Sequence, residues 1–241
     1  YQLDKYNIDL DSSKKDENDK FYKNNLCSKV LRKIGLNFSK RIKEKSLLFD
    51  KKLLEIDDNS YLDGYFQCEK YFKDIREIIL KQFTINQDIS NYTKEIKNKI
   101  QNFQNSCSLH IRRGDFVNST NINIHGTCDI EYYKKAIQYL EEKVENINYF
   151  IFSDDIEWVK ENLAIQNAIY IDSKEKRIPH EDIYLMSLCK NNIIANSSFS
   201  WWGAWLNQNE NKMVIAPKRW FADDKLESQS KDIVCESWVR I

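Results

Sequence analysis

Two adjacent arginines, Arg112 and Arg113, stand in the segment HIRRGD (110–115), which continues the apolar run at 107–111. Adjacent guanidinium groups are a poor structural choice unless an anion neutralises them, and a guanidinium matches phosphate oxygens through parallel N–H bonds. The segment therefore predicts contact with a phosphate-bearing ligand. A structural interpretation stays open beside it, in which Arg113 and Asp115 pair with each other and brace the loop.

A pair of serines, Ser197 and Ser198, follows the apolar run at 192–195 and begins a predicted helix. The first N–H groups of a helix and the positive end of its dipole favour a bound phosphate. A serine at this point can also simply cap the helix. We therefore expect one of the two hydroxyls to be structural.

An acidic pair, Asp154 and Asp155, follows the apolar run at 147–152 through Ser153. A carboxylate at the end of a strand beside the arginines can accept a hydrogen bond from a ribose hydroxyl or from the N–H edge of a base. Both acids also fit the N-cap of a helix at 156–163, so we expect one of them to be a cap. Together the three polar clusters predict a nucleotide diphosphate site without a metal.

Alternating strands and helices must position these clusters. Short apolar runs separated by helical patterns predict a parallel sheet buried on both faces, wound in the Rossmann-like manner. Ligands of such sheets bind outside the carboxyl ends of the strands, where the three clusters meet. The predicted strands lie at 107–111, 147–152, 168–171, 192–195 and 213–216. The predicted helices lie at 130–145, 156–163, about 181–190 and around the WWGAWL segment.

Composition excludes several other classes of protein. The 241 residues contain 37 Lys or Arg and 37 Asp or Glu, so the chain lacks the net basic charge of a nucleic-acid binder. Apolar runs are all shorter than the roughly 18 residues of a membrane span. The six cysteines are dispersed, without C-x-x-C pairs, which predicts free thiols and no structural zinc. Neither a P-loop nor a G-x-G-x-x-G motif occurs.

The first 104 residues differ in pattern from the rest, being polar, Lys-rich and mostly helical. Between 20 and 45 there are nine Lys or Arg and a single acid, Glu44, and apolar residues recur every four positions from Leu26 to Phe38. We interpret this stretch as an amphipathic helix with a solvated basic face. The alternative is a peripheral contact with an anionic membrane surface.

Several other residues that invite a functional interpretation receive a structural one. Trp201, Trp202 and Trp205 fit the apolar stripe of a buried helix, because adjacent helical positions cannot face one ligand together. We expect the isolated loop histidines, His125 and His180, to face solvent. For Cys128 we expect an inert thiol.

The motifs HIRRGD and, after the fourth strand, NSSFSWWGAWL resemble those of bacterial-type α-1,2-fucosyltransferases. The resemblance extends over nearly the whole chain, since YLDGYFQCEKYF, HGTCDIEYYKKAI, FSDDIEWVKENL and VIAPKRWF also occur in the expected order. It implies a GT-B-like architecture, GDP-β-L-fucose as donor and inverting transfer to the 2-hydroxyl of a galactose-containing glycan. It also implies no cofactor and no obligatory metal.

The resemblance also implies roles for individual residues. Arg112 would hold the donor diphosphate and act as the catalytic residue, while Arg113 and Asp115 would shape the motif. His110, with Asp154 or Asp155, would contact the guanosine. The serines that would lie along the phosphates are Ser197, Ser198 and Ser200.

One departure from the family pattern concerns its Gly-rich opening of the type GGLGNQMFQYA. Only Gly35 and Gly64 precede Gly114, and the chain begins at Tyr1 with no initiator methionine. We therefore expect that the chain is a fragment and that it can be inactive by itself. Residues 1–104 would be the remnant of an N-terminal acceptor-side domain, and residues 105–241 would form the GDP-fucose-binding domain. A cytoplasmic setting, with peripheral contact at the inner face of the membrane through 20–45, fits this interpretation.

Two alternatives to fucosyl transfer stay open. A transferase of the same fold can use a different nucleotide sugar or form a different linkage. A non-catalytic module can bind a nucleotide or a sugar without turning it over.

Overall fold

The computed structural model describes residues 3–8, 40–57, 60–114, 122–171 and 178–241. Its strands, in chain order, are β1 (Lys40–Lys43), β2 (Ser60–Asp63), β3 (Ser106–Ile111), β4 (Asn148–Ser153), β5 (Ala168–Tyr170), β6 (Asn191–Ile193), β7 (Val214–Ala216) and β8 (Val239–Arg240). Its α-helices are α1 (Arg76–Gln82), α2 (Asn91–Asn102), α3 (Ile130–Glu141), α4 (Ile156–Asn162), α5 (Pro179–Leu188), α6 (Ser198–Trp205) and α7 (Asp224–Glu227).

Six strands form one sheet in the order β5-β4-β3-β6-β7-β8, and every neighbouring pair is parallel. Successive strands extend outward from β3 on one side and from β6 on the other, which is the order of a doubly wound sheet. The predicted parallel sheet is confirmed, and each predicted strand occurs within a few residues of its expected place. The GT-B-like arrangement and the domain boundary at 104–105 stay predictions.

Both faces of the sheet are covered by helices, which is why its strands read as continuous apolar runs. Leu109 and Ile151 pack on one face in the cluster that contains Leu140 of α3. Phe150 points to the opposite face and packs in the cluster that contains Ile100 of α2. The alternation within β4 therefore assigns successive side chains to separate helical layers.

Two of the three tryptophans of α6 are buried, as predicted, whereas Trp202 is half-buried. Trp201 and Trp205 are buried, and the Trp201 indole donates a hydrogen bond to the carbonyl of Ile233 at 2.7 Å. Half-buried Trp202 stacks on Phe72, with ring centroids 5.5 Å apart. These contacts join α6 to the chain segment that precedes the sheet.

The N-terminal region contains more than the predicted helices. Strands β1 and β2 form a two-stranded parallel sheet in which Ile42 pairs with Leu62. The helix predicted over 20–45 is wrong at its C-terminal end, because residues 40–43 pair in this sheet; residues 20–39 lie outside the described residues. Strand pairing here overrides a helical periodicity that depended on local sequence alone. Within the described residues, none of the helices has the length and apolar character of a membrane span.

Candidate functional site

The predicted polar clusters meet at the carboxyl edge of the sheet. Strands β3 and β6 are neighbours whose connections leave in opposite directions, so a crevice opens between their ends. A cavity of about 490 Å³ lies there. Its lining includes five of the predicted site residues, namely His110, Arg112, Asp154, Ser197 and Ser198.

Arg112 and Asp154 form an ion pair at this edge. Nη1 of Arg112 lies 2.9 Å from Oδ2 of Asp154, and the two side chains are 32% and 21% exposed. The other carboxylate oxygen of Asp154 accepts the backbone N–H of Arg113 at 2.8 Å. Asp154 therefore joins the end of β4 to the backbone and the side chain that follow β3.

Gly114 allows this close approach. A Cβ atom at position 114 would lie 2.5 Å from Oδ2 of Asp154, well inside van der Waals contact. The φ angle of Gly114 is not positive, so the requirement concerns space rather than backbone conformation. Any side chain here would displace the carboxylate that holds Arg112.

The second members of the two charged pairs lie outside the cavity lining. Asp155 caps α4 by accepting the N–H of Trp158, and it accepts Nε of Arg113 at 3.3 Å. The guanidinium carbon of Arg113 lies 3.8 Å from the centroid of a ring of Trp158. Asp155 is thus the predicted cap and Asp154 the acid in the cavity. Asp115, the alternative partner of Arg113, lies outside the described residues.

The three serines of α6 differ in position. Ser197 is the N-cap and accepts the N–H of Phe199 at 3.3 Å, while exposed Ser198 is the first helical residue. Ser200 is 1% exposed and donates its hydroxyl to the carbonyl of Ser197. Because two residues advance a helix by about 200°, Ser200 faces the core where Ser198 faces the cavity. The structure therefore does not bring Ser200 to the cavity lining.

His110 projects from the end of β3 and is buried, at 3% exposure. Its ring centroid lies 5.6 Å from that of Phe199 in α6. The imidazole therefore stands between the strand edge and the start of the helix, at the inner wall of the cavity.

His125 also lines the cavity and is half-buried, so the prediction that it faces solvent is wrong. The side-chain amide of Asn196 donates to the carbonyls of His125 and Trp220, each at 3.0 Å. Asn196 thereby connects two loops that are distant in sequence, near the end of β6. The prediction that His180 faces solvent is also wrong, because this residue is half-buried beside Tyr6. Burial lowers the pKa of the His180 imidazole.

Among the polar side chains that line the cavity in the described part of the chain, Gln67, Asp182 and Asn196 received no individual role from the sequence. Asn196 lies shortly after the end of β6, in the polar cluster Asn196-Ser197-Ser198, and its position at the edge of the sheet is the signal that identifies it. Gln67 and Asp182 reach the cavity through long-range packing, for which the sequence carries no local signal.

The prediction of free thiols is confirmed for the described cysteines. Cys68, Cys107, Cys128, Cys189 and Cys235 are all free thiols, while Cys27 lies outside the described residues. Burial raises the pKa of the Cys128 thiol to about 12, which makes it inert as a nucleophile. Among the described side chains, no group of three or more His, Cys, Asp or Glu residues could hold a metal ion.

The arrangement combines a guanidinium, the N-terminal end of a helix and a carboxylate within one crevice. The first two favour anionic oxygens, and the carboxylate accepts N–H or O–H donors. A model of glycosyl transferase family 11 matches residues 15–241. The chain belongs to glycosyl transferase family 11. The resemblance noted from the HIRRGD and SSFSWWGAWL motifs is therefore confirmed.

The bacterial relatives of this family 11 chain are more similar to it in sequence than the human relative is. It is 38% identical over 193 residues to the O-antigen biosynthesis glycosyltransferase WbnK of Escherichia coli, covering 78% of this chain and 63% of the relative. It is 42% identical over 182 residues to an alpha-1,2-colitosyltransferase of Escherichia coli, covering 74% of this chain and 61% of the relative. Human galactoside alpha-(1,2)-fucosyltransferase 1 is 22% identical to this chain over 154 residues, covering 60% of this chain and 42% of the relative. The family 11 chain thus spans about three fifths of the length of these bacterial relatives.

Proposed function

We propose that the protein transfers L-fucose from GDP-β-L-fucose to the 2-hydroxyl of a galactose-type sugar, inverting the configuration at C1. The observation that carries this proposal is the Arg112–Asp154 pair inside the cavity at the sheet's switch point. Relatives named as alpha-1,2-colitosyl- and galactoside alpha-(1,2)-fucosyltransferases support the linkage. The name of WbnK supports an acceptor that is a precursor of a surface polysaccharide.

The donor lies with its diphosphate against Arg112 and the N-terminal end of α6. In the transfer step the bond between C1 of fucose and the β-phosphate oxygen breaks, and its electrons remain on the leaving GDP. The acceptor oxygen forms the new bond to C1 from the opposite face. Arg112 stabilises the negative charge that grows on the diphosphate, at a position fixed before the reaction begins.

Asp154 orients Arg112 in this mechanism. A guanidinium has five N–H donors, so a bond to Asp154 through Nη1 is compatible with further bonds to phosphate oxygens. The guanidinium provides the positive charge that a divalent cation provides in other transferases. We therefore expect turnover to persist after treatment with EDTA.

The proton of the acceptor hydroxyl must pass to a base. Two titratable groups that line the cavity have no other role in this account, His125 and Asp182. Removing the base lowers kcat and removes its limb from the pH–rate profile. Profiles of the variants His125→Ala and Asp182→Asn, measured at saturating donor, decide between them.

A colitosyl donor is the second candidate, because the alpha-1,2-colitosyltransferase is 42% identical over its matched region. Full-length protein incubated with GDP-fucose or with nucleotide-activated colitose, and with a β-galactoside acceptor, separates the two. We expect a fucosylated product with a 1,2-linkage, identified by mass spectrometry and NMR. Transfer of colitose alone would replace the proposed donor, and GDP binding without transfer of either sugar would indicate a non-catalytic module.

A further inference from the structure

A second, smaller cavity adjoins the first. It has a volume of about 190 Å³, and aromatic rings provide much of its wall, among them Tyr65, Phe66 and Trp202. Gln67, Ser198 and Trp220 line both cavities, so the two spaces meet along these residues. A ligand in the smaller cavity therefore lies beside a ligand held near Ser198.

The loop that carries Tyr65 and Phe66 is held in a defined conformation. The carboxylate of Glu44 accepts the backbone N–H of Tyr65 at 2.7 Å and that of Phe66 at 3.1 Å. A Cβ atom on Gly64 would lie 2.3 Å from Cβ of Glu44, so the loop and Glu44 are in close contact. The side chains of this loop are presented by a fixed backbone.

Phe66 adopts a φ angle of 49°, in the left-handed region that bulky residues rarely occupy. Such backbone strain clusters at ligand-binding sites. Here it accompanies the turn that directs the chain from Tyr65 to Gln67, at the junction of the two cavities.

Tyr65 is 81% exposed, the largest value among the exposed large apolar side chains in the described residues. Hexoses present C–H groups on one face and hydroxyls around the ring, and an aromatic face attracts such polarised C–H groups. A tyrosine ring beside an amide from Gln67 therefore offers both kinds of contact that a sugar makes.

We propose that the smaller cavity is the acceptor subsite and that Tyr65 stacks on the galactose-type ring whose hydroxyl is modified. This inference rests on the proposed function, because it names where that reaction's second substrate binds. Gln67 lies between the subsites and fixes the acceptor hydroxyl relative to the donor. Glu44 is a positioning residue that acts through the backbone of the loop.

The test compares Tyr65→Ala, Tyr65→Phe and Leu54→Ala in the full-length protein. Leu54 is a matched control, because it is 50% exposed, belongs to the same region and lines neither cavity. We expect Tyr65→Ala to raise the acceptor KM about tenfold, as loss of one aromatic stacking contact does elsewhere, with GDP affinity unchanged. Tyr65→Phe keeps the aromatic ring and should recover most of the acceptor affinity that Tyr65→Ala loses, whereas Leu54→Ala should stay within about twofold of wild type.

Direct binding of methyl β-galactoside, measured by saturation-transfer NMR without donor, separates this inference from the proposed function. Loss of the galactoside signal in Tyr65→Ala supports the subsite whichever donor the protein uses. An unchanged signal and acceptor KM in Tyr65→Ala would overturn it. A lower melting temperature with unchanged galactoside binding would also overturn it, since Tyr65 would then be covered by another part of the chain.

Glu44→Gln provides an independent variant. It keeps the size of the side chain but weakens two charge-assisted bonds to the loop. We expect a several-fold rise in acceptor KM from Glu44→Gln alone, and no further rise when Glu44→Gln is added to Tyr65→Ala. Full additivity of the two changes would contradict a shared role in presenting Tyr65.

Discussion

Nη1 of Arg112 lies 2.9 Å from Oδ2 of Asp154, so an ion pair joins the ends of two adjacent parallel strands inside the cavity. The pair is partly exposed, and surface pairs of this kind contribute little to stability. Its importance is geometric, because it sets where the guanidinium stands before a ligand arrives.

Asp154→Asn removes the charge that orients Arg112 while keeping a side chain of the same shape. We expect kcat to fall about tenfold, equivalent to roughly 1.4 kcal/mol of transition-state stabilisation. The melting temperature should change little. Steady-state kinetics beside thermal unfolding test this, and an unchanged kcat would show that Arg112 needs no carboxylate for its position.

Arg113→Lys should affect the fold more than the chemistry. Arg113 packs its guanidinium over Trp158 and bonds Asp155, outside the cavity lining, whereas Arg112 lines the cavity. Loss of the planar contact should lower the free energy of unfolding by about 0.5–1 kcal/mol with kcat within about threefold of wild type. Arg112→Lys is the matched comparison, and it should lose activity without losing stability. Equal kinetic losses in both variants would contradict separate roles.

Gly114→Ala should displace Asp154, because the new Cβ would lie 2.5 Å from its Oδ2. We expect a loss of transfer at least as large as that of Asp154→Asn, with a nearly native melting temperature. Gly203→Ala provides the contrast, since its Cβ would lie 2.7 Å from Cβ of buried Met186 in the core. We expect Gly203→Ala to lower the melting temperature more than Gly114→Ala does. A Gly114→Ala protein with wild-type kinetics would show that the close contact has no functional effect.

Glu181 should make stability depend on pH in the acid range. Burial raises its pKa, but hydrogen bonds from Thr93 and Ser90 outweigh burial and hold the pKa below its ordinary value of 4.5. The unfolded state therefore binds more protons, and the stabilisation present above pH 4.5 is lost as pH falls through the folded pKa.

Urea unfolding of wild type and Glu181→Gln at several pH values tests this expectation. At pH 7 the variant should be less stable by about 1–3 kcal/mol, because Gln cannot accept all of the bonds from α2. The difference should shrink below pH 4.5. A difference that stays constant from pH 7 to pH 3 would exclude ionised Glu181 as its source.

The sheet and its functional edge could be predicted from sequence because buried parallel strands leave a simple signal. The segments SCSLHI and NYFIFS contain apolar residues that are buried on both faces of the sheet, and further polar side chains follow where each strand ends. The sequence left open which of Asp154 and Asp155 caps the helix, since both types and positions fit. Only the orientation of the side chains decides that Asp155 caps α4 and Asp154 faces Arg112.

Long-range contacts explain what the sequence could not predict. His125 reaches the cavity because the amide of Asn196, 71 residues away, bonds its carbonyl, and no local pattern encodes that contact. Strand β1 consists of Lys40-Arg41-Ile42-Lys43, which shows no apolar run and becomes a strand only through pairing with β2. The smaller aromatic cavity depends likewise on the meeting of the loop at 64–67 with α6.

The central claim is that Arg112 binds the diphosphate of a guanosine nucleotide. Calorimetric titration of wild-type protein and Arg112→Ala with GDP and with guanosine tests it most directly. We predict that wild type prefers GDP strongly, and that Arg112→Ala reduces this preference about 10–100-fold while its affinity for guanosine is unchanged. The same preference for GDP in both proteins would contradict the account.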